Sequence, residues 1–197
     1  MSTQIKGSNA GITVAPIEED SPFFRPPATD AQIEAVEKKY GYAMPEELAK
    51  WYRQYHAIEV TPRGYRYRYN PLDLKVIELG LDLDDHMITD PRDRFRYTYL
   101  LDETAKGLNF FDSNWRRADY LTEGHFEIGA SSLGTLIMDF RPGETHGWVY
   151  HLILHGAEDI IDQGMEVPLA FVAKSFDAFL DGLFDLDAEI QERVKTL

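Results

Sequence analysis

A chain of 197 residues with 44% hydrophobic and 13% aromatic residues is long and apolar enough for one domain with a sizeable core. Its formal net charge of −14 opposes binding to nucleic acid phosphates and to anionic lipid, and it favours basic partners. Cysteine is absent, which excludes a disulfide framework and a thiolate metal site and fits a cytoplasmic location. The sequence also lacks the apolar segment of a signal peptide and the run of about 20 apolar residues that spans a membrane.

The N-terminal residues 1–28 predict an extended arm that precedes the folded domain. Glycine, serine and proline are frequent there, and three prolines interrupt residues 21–27, so that this stretch cannot be helical. Residues 29–197 are predicted to form a single domain.

Two short amphipathic helices are predicted in residues 29–56. Thr29 and Gln32 have the spacing of a capping box, and Gly41 suits the left-handed position that ends a helix. The second helix is predicted to carry Pro45 in its first turn, where the missing N–H costs nothing. Its broad apolar stripe consists of Leu48, Trp51, Tyr52 and Tyr55.

Several strands are predicted after these helices. Tyrosine and arginine alternate in residues 64–70, which predicts a strand with one aromatic and one cationic face. A further strand is predicted at residues 95–101 and a short one at 126–129. Two apolar runs at residues 133–140 and 148–154 flank a loop rich in turn residues, a pattern typical of a hairpin.

A closing helix is predicted after Ser175, which can cap its first turn. The apolar residues that follow with helical spacing are Phe176, Phe179, Leu180 and Leu183. Strands grouped between helices predict an α+β fold with a central, mostly antiparallel sheet and helices packed on one face.

Three blocks of the chain resemble the SUKH superfamily, whose members are Smi/Knr-like. The blocks are Lys38–Gly41 with Met44–Leu48, the Phe126–Gly129 segment ahead of a two-strand core, and the closing helix at Lys174–Leu180. The superfamily includes fungal cell-wall regulators and many bacterial immunity proteins that neutralise secreted toxins. The resemblance therefore implies a SUKH-like α+β domain and a non-enzymatic immunity protein that binds a cognate toxin, often a nuclease or deaminase.

The acidic residues are concentrated in the second half of the chain. Residues 1–100 hold 16 acidic and 13 basic side chains, whereas residues 101–197 hold 18 acidic and 7 basic side chains. Asp177, Asp181 and Asp185 are spaced by four, so they would stack on one helix face and repel one another. A solubilising surface explains this charge as well as a binding surface does. The residues predicted to face a basic protein partner are Glu158, Asp159, Asp162, Asp177 and Asp181.

Three other functions remain open. The histidines at positions 146, 151 and 155 could serve a metal enzyme or a small hydrolase, although histidines at strand ends are commoner and no nucleophile-elbow pattern is present. The tyrosine–arginine strand could bind nucleic acid, which the net charge opposes. A regulatory or scaffold protein with an intracellular client is the third. The sequence predicts no catalytic residue, no metal and no cofactor.

Overall fold

In a computed structural model of the protein, antiparallel strands lie between two early helices and one late helix. The residues that the structure describes are 3–4, 12–16, 26–55, 58–62, 64–68, 89–90, 95–99, 121–131, 134–153, 169–186 and 188. The strands in these residues are β1 (Thr3–Gln4), β2 (Thr13–Pro16), β3 (Ile58–Thr61), β4 (Gly64–Arg68), β5 (Thr89–Asp90), β6 (Phe95–Tyr99), β7 (His125–Ser131), β8 (Gly134–Asp139), β9 (Val149–Ile153) and β10 (Leu169–Ala173). The helices are α1 (Asp30–Tyr40), α2 (Glu46–Gln54) and α3 (Phe176–Asp181).

The ends of α1 confirm the capping pattern predicted from the sequence. The Gln32 backbone N–H donates to Thr29 Oγ1 at 3.3 Å, and the Thr29 backbone N–H donates to Gln32 Oε1 at 2.9 Å. Gly41 follows the helix with φ of 76°, and its N–H donates to the Glu37 carbonyl oxygen at 2.8 Å. Glycine adopts this left-handed conformation without the steric cost that a Cβ would add, so the helix ends there.

The second helix, α2, begins one residue later than predicted. Pro45 occupies the N-cap position immediately before the helix rather than its first turn, with φ of −53° and ψ of 131°. The apolar stripe is confirmed for Leu48, Trp51 and Tyr52, which are all buried, whereas Tyr55 follows the helix as its C-cap and is half-buried. This stripe directs α2 toward the core, which leaves Glu46 and Lys50 exposed.

The largest sheet is antiparallel, with strand order β10-β9-β8-β7. Its β8–β9 pair is the predicted hairpin, in which Ile137 lies opposite Tyr150 and Leu136 lies opposite His151. Residues 135–140 are all buried, so both faces of the sheet are covered along β8. Because both faces are covered, the sequence of β8 is mostly apolar instead of alternating between apolar and polar residues.

A second antiparallel sheet has strand order β4-β6-β5. The predicted alternation in β4 is confirmed, because Tyr65 and Tyr67 are buried whereas Arg66 and Arg68 are exposed. Strand β6 confirms the strand predicted from residue 95 onward, and it pairs with β4 over five residues.

Part of the predicted N-terminal arm lies in a third antiparallel sheet, of order β1-β2-β3. Val14 pairs with Val60 of β3, and the neighbouring Ile12 is fully buried. These contacts tie residues 12–16 to the part of the chain that follows α2. A boundary between arm and domain after residue 28 stays a prediction.

Aromatic contacts join the helices to the strands. The Tyr40 ring of α1 lies 5.0 Å from the Phe126 ring of β7, measured between ring centroids. Between α2 and α3, the corresponding distance from Trp51 to Phe176 is 5.4 Å. A third contact, at 5.6 Å, places Phe179 of α3 against a tyrosine of β4. The predicted α+β class, with mostly antiparallel strands and packed helices, is therefore confirmed.

The segment after α3 returns to the start of β4. Gly64 donates its N–H to the Phe184 carbonyl oxygen at 3.0 Å and accepts from the Phe184 N–H at 2.9 Å. A Cβ added at Gly64 would lie 2.7 Å from both the Phe184 carbonyl oxygen and Leu186 Cβ. Only glycine allows this close approach, which fixes α3 relative to β4.

Candidate protein-interaction surface

Two of the carboxylates predicted to face a partner, Asp177 and Asp181, lie exposed one turn apart on α3. The structure adds a third, because Glu47 of α2 reaches the first turn of α3. The backbone N–H of Asp177 donates to Glu47 Oε2 at 3.1 Å. Glu47, Asp177 and Asp181 are called the acidic patch below.

The acidic patch holds its charges under mutual repulsion. Partial burial raises the pKa of Asp177 above its ordinary value, and the neighbouring charges of Glu47 and Asp181 raise it further. The ammonium group of Lys50 acts in the opposite direction, but it does not reverse the shift. The charged form of Asp177 is therefore disfavoured, and an added cation close to the patch would favour it.

The predicted stack of three aspartates on one helix face is wrong for Asp185. Helix α3 ends at Asp181, and Gly182 follows as its C-cap. Asp185 lies beyond the helix, where its Oδ1 accepts a hydrogen bond from the Ala188 N–H at 3.0 Å. The bonds between Gly64 and Phe184 hold this segment to β4, so helical spacing in the sequence does not continue as helix.

The other three predicted partner-facing residues fall outside the described part of the chain. They are Glu158, Asp159 and Asp162, between β9 and β10. Their role stays a prediction.

A groove of about 340 Å³ between α1 and α2 forms a second acidic surface that sequence reasoning missed. Arg53 crosses it, with Nε 2.7 Å from Asp30 Oδ1 and Nη1 3.5 Å from Glu46 Oε1. The helical spacing of acidic residues in α1 could have revealed this surface. It was overlooked because acidic and basic side chains nearly balance over residues 1–100. Its lining residues are Asp30, Ile33, Glu34, Glu37, Met44, Glu46, Ala49 and Arg53.

A buried carboxylate fixes the loop between β8 and β9. Asp139 Oδ1 accepts from the backbone N–H and from Nε of Arg141, both at 2.9 Å. Asp139 Oδ2 accepts from Arg141 Nη2 at 2.6 Å and from Thr145 Oγ1 at 2.7 Å. The sequence reasoning identified a turn here but not the ion pair that holds its shape. This group of residues is called the Asp139 cluster.

Hydrogen bonds in the Asp139 cluster offset the cost of burying the Asp139 carboxylate. Burial alone would raise the pKa of Asp139, but the hydrogen bonds from Arg141 and Thr145 lower it below its ordinary value. His125 Nε2 lies 3.2 Å from Arg141 Nη2, which donates to it, so the imidazole is neutral. Burial lowers the pKa of His125, and the Arg141 charge lowers it further against the opposing charge of Asp139. The hydrogen bonds of the cluster thus hold the β8–β9 loop in one shape.

Comparison with protein-family models matches residues 27–182 to the SMI1 / KNR4 family (SUKH-1). This range covers most of the chain, from the residues before α1 to the end of α3. The chain belongs to the SMI1/KNR4 family. No curated protein and no solved structure matches it.

Two of the three histidines considered from the sequence, His146 and His151, lie in the described residues of this SMI1/KNR4 protein, and their environments differ. His151 is fully buried, its Nδ1 lies 2.8 Å from Tyr65 Oη, and its ring stacks on Tyr67 at 4.2 Å. Burial also raises the pKa of Tyr65, so its hydroxyl stays protonated. His146 is exposed in the loop, and His155 lies outside the described residues.

The described residues of the SMI1/KNR4 chain show no group of three histidine, cysteine, aspartate or glutamate side chains that could hold a metal ion. Within those same residues, no helix is both long and apolar enough to cross a membrane. Family membership suggests a role in protein–protein interaction.

Proposed function

We propose that this SMI1/KNR4 protein is a non-enzymatic cytoplasmic immunity protein that neutralises a basic toxin domain, such as a nuclease or deaminase, by stoichiometric binding. The observation that carries the proposal is the acidic patch, where Asp177 lies beside Glu47 and Asp181. The residues proposed to face the toxin are Glu158, Asp159, Asp162, Asp177 and Asp181.

A bound cation would reduce the repulsion among the carboxylates of the acidic patch, so cation binding there is favourable. A lysine or arginine of the partner, placed near Asp177, would favour the charged carboxylate and oppose the repulsion from Glu47 and Asp181. The same charges would attract a basic domain over a distance of about 8 Å at physiological salt and raise the association rate. A nuclease or deaminase that binds nucleic acid offers such a basic surface, which an acidic protein can occupy.

Family membership supports a second form of the same role. An SMI1-type regulator would bind an intracellular client in place of a toxin. The gene neighbourhood distinguishes the two, because an immunity protein is encoded beside its toxin. In both cases the acidic patch is proposed as the contact surface, so the same variants test it.

Growth rescue provides the first test. Cells that express the toxin encoded beside this chain should stop growing, and co-expression of the wild-type chain should restore growth. Failure of the wild-type chain to restore growth would contradict the immunity role itself.

Charge reversal tests the surface. The double variant Asp177→Lys with Asp181→Lys should slow association with the purified toxin and reduce its dependence on salt. The matched control is Glu34→Lys with Glu144→Lys, because these exposed carboxylates lie on α1 and on the β8–β9 loop, and the change in net charge is equal. Equal binding by both double variants at low and high salt would contradict a role of the acidic patch.

A further inference from the structure

A row of aromatic rings with a cation at each end lies across β4, β9 and β10 and the residues next to them. The Arg68 guanidinium lies 5.4 Å from the centre of the Phe171 ring, and Phe171 meets Trp148 edge-on at 5.4 Å. The ammonium group of Lys174 lies 5.6 Å from the centre of the Trp148 ring. The Tyr150 ring also meets Phe171 edge-on, with 6.3 Å between the ring centroids. These five residues are called the cation–aromatic ladder.

The ladder is accessible and its charges are available. Arg68 and Lys174 are exposed, and the three rings of Trp148, Tyr150 and Phe171 are half-buried. In the described part of the chain, neither cation forms an ion pair with a carboxylate. Contacts between cations and rings hold these side chains in place before any partner arrives, which reduces the entropy lost on binding.

The composition of the ladder is that of a protein-binding surface. Tryptophan, tyrosine and arginine are the residues that most often dominate the energy of protein interfaces, and aromatic residues are enriched at interface centres. Here the rings offer apolar contact area, whereas Arg68 and Lys174 lie at the two ends of the row. A partner that complements this arrangement carries apolar side chains flanked by carboxylates.

We propose that the cation–aromatic ladder is a second interaction surface, which binds an acidic segment of a protein partner whose apolar side chains cover the rings of Trp148 and Phe171. Its charge is opposite to that of the acidic patch, so the two surfaces select different parts of a partner or different partners. The proposal does not depend on the identity of the toxin.

Nucleic acid fits the ladder less well, and a second copy of this chain is an occupant that the experiment distinguishes. A nucleic acid strand would meet only two cations here, on a chain whose net charge of −14 repels phosphates. A second copy of this chain would have to place its own carboxylates on Arg68 and Lys174, and this would make self-association depend on both cations.

A peptide titration followed by NMR tests the proposal on the full chain. The probe is a short peptide that alternates glutamate with leucine, and the comparison ligands are a peptide that alternates lysine with leucine and an oligouridylate. The indole N–H signal of Trp148, assigned with Trp148→Phe, should shift on addition of the glutamate peptide and should shift less with either comparison ligand.

Variants of the ladder locate the binding site. Arg68→Glu with Lys174→Glu should weaken binding of the glutamate peptide by at least about tenfold, since two cation contacts are reversed. The neutral pair Arg68→Gln with Lys174→Gln should weaken it less and serves as a second measurement if the reversed variant folds poorly. Lys38→Glu with Lys39→Glu is the matched control, because it reverses two exposed cations of α1, changes the net charge equally and should leave the affinity unchanged.

The contradicting outcomes are specific. The proposal is wrong if the glutamate peptide leaves the Trp148 signal unmoved, or if the ladder variant Arg68→Glu with Lys174→Glu and the control Lys38→Glu with Lys39→Glu lose equal affinity. Tighter binding of the oligouridylate or of the lysine peptide would also overturn it. A dimer of the wild-type chain in sedimentation, dispersed by the ladder variants, would assign the ladder to self-association instead.

Discussion

Replacing Asp139 by asparagine should destabilise the fold although the side chain keeps its size. The carboxylate is fully buried and accepts four hydrogen bonds, three from Arg141 and one from Thr145. The best arrangement of the amide keeps its oxygen toward the backbone N–H and Nε of Arg141. Its NH₂ group can then donate to the Thr145 hydroxyl, but it meets the donating Nη2 of Arg141.

The size of the expected stability loss follows from the hydrogen bonds that asparagine cannot make. One charge-assisted bond to Arg141 Nη2 is lost and a second, to Nε, is weakened, and bonds of this kind contribute about 1.5–3 kcal/mol each. The Arg141 side chain is 40% exposed, so solvent screening reduces these values. We expect the free energy of unfolding to fall by about 2–3 kcal/mol, measured by urea denaturation at neutral pH.

The pH dependence of this loss has a defined sign. The folded pKa of Asp139 is lowered, so its contribution to stability is present above the unfolded pKa of about 3.9 and is lost as the pH falls through the folded value. The wild-type chain should therefore lose more stability than Asp139→Asn on acidification below about pH 4.

Asp177→Asn is the control for Asp139→Asn. This exposed aspartate has no buried ion pair, so its substitution should change the free energy of unfolding by less than about 0.5 kcal/mol. A loss below about 1 kcal/mol for Asp139→Asn, or parallel acid curves for wild type and variant, would refute the reasoning about the buried ion pair.

Three further changes test the fold. Gly64→Ala should lower the free energy of unfolding, measured by urea denaturation, by about 1–3 kcal/mol, because the added Cβ would lie 2.7 Å from the Phe184 carbonyl oxygen. An unchanged free energy of unfolding would mean that the backbone can move to accommodate the Cβ. Tyr65→Phe removes the buried hydroxyl bonded to His151 and should lower the free energy of unfolding by about 1–2 kcal/mol, whereas an unchanged midpoint would argue against the bond. Thr29→Ala should lower the thermal midpoint by removing about 1 kcal/mol of helix capping, and no shift would show the cap to be dispensable.

Local patterns in the sequence were sufficient to predict the three helices and five of the ten described strands, namely β4, β6, β7, β8 and β9. The capping box at Thr29 and the left-handed Gly41 depend on residues at most a few positions apart, so they can be recognised without the fold. The alternation of tyrosine and arginine in β4 has the same local origin. The family could be recognised because its three sequence blocks follow one another along the chain in the expected order, which requires no knowledge of the fold.

The acidic surfaces could be predicted only in part. The spacing of Asp177 and Asp181 placed them on one helix face, as the structure confirms. Helical spacing alone could not show that the helix ends before Asp185, because that end depends on Gly182 and on the bonds between Phe184 and β4. Charge totals along the chain also concealed the acidic groove, since they add residues that lie on different faces.

By itself, the sequence determined the α+β class, both ends of α1, the core faces of the predicted elements and the family, because each of these depends on neighbouring residues or on their order. Only the tertiary structure decided which charges meet. Glu47 joins Asp177 across α2 and α3, and Arg68 joins Phe171 across β4 and β10. Electrostatic and cation–π energies depend on distance in space, and residues 130 positions apart in the sequence can lie within hydrogen-bond distance.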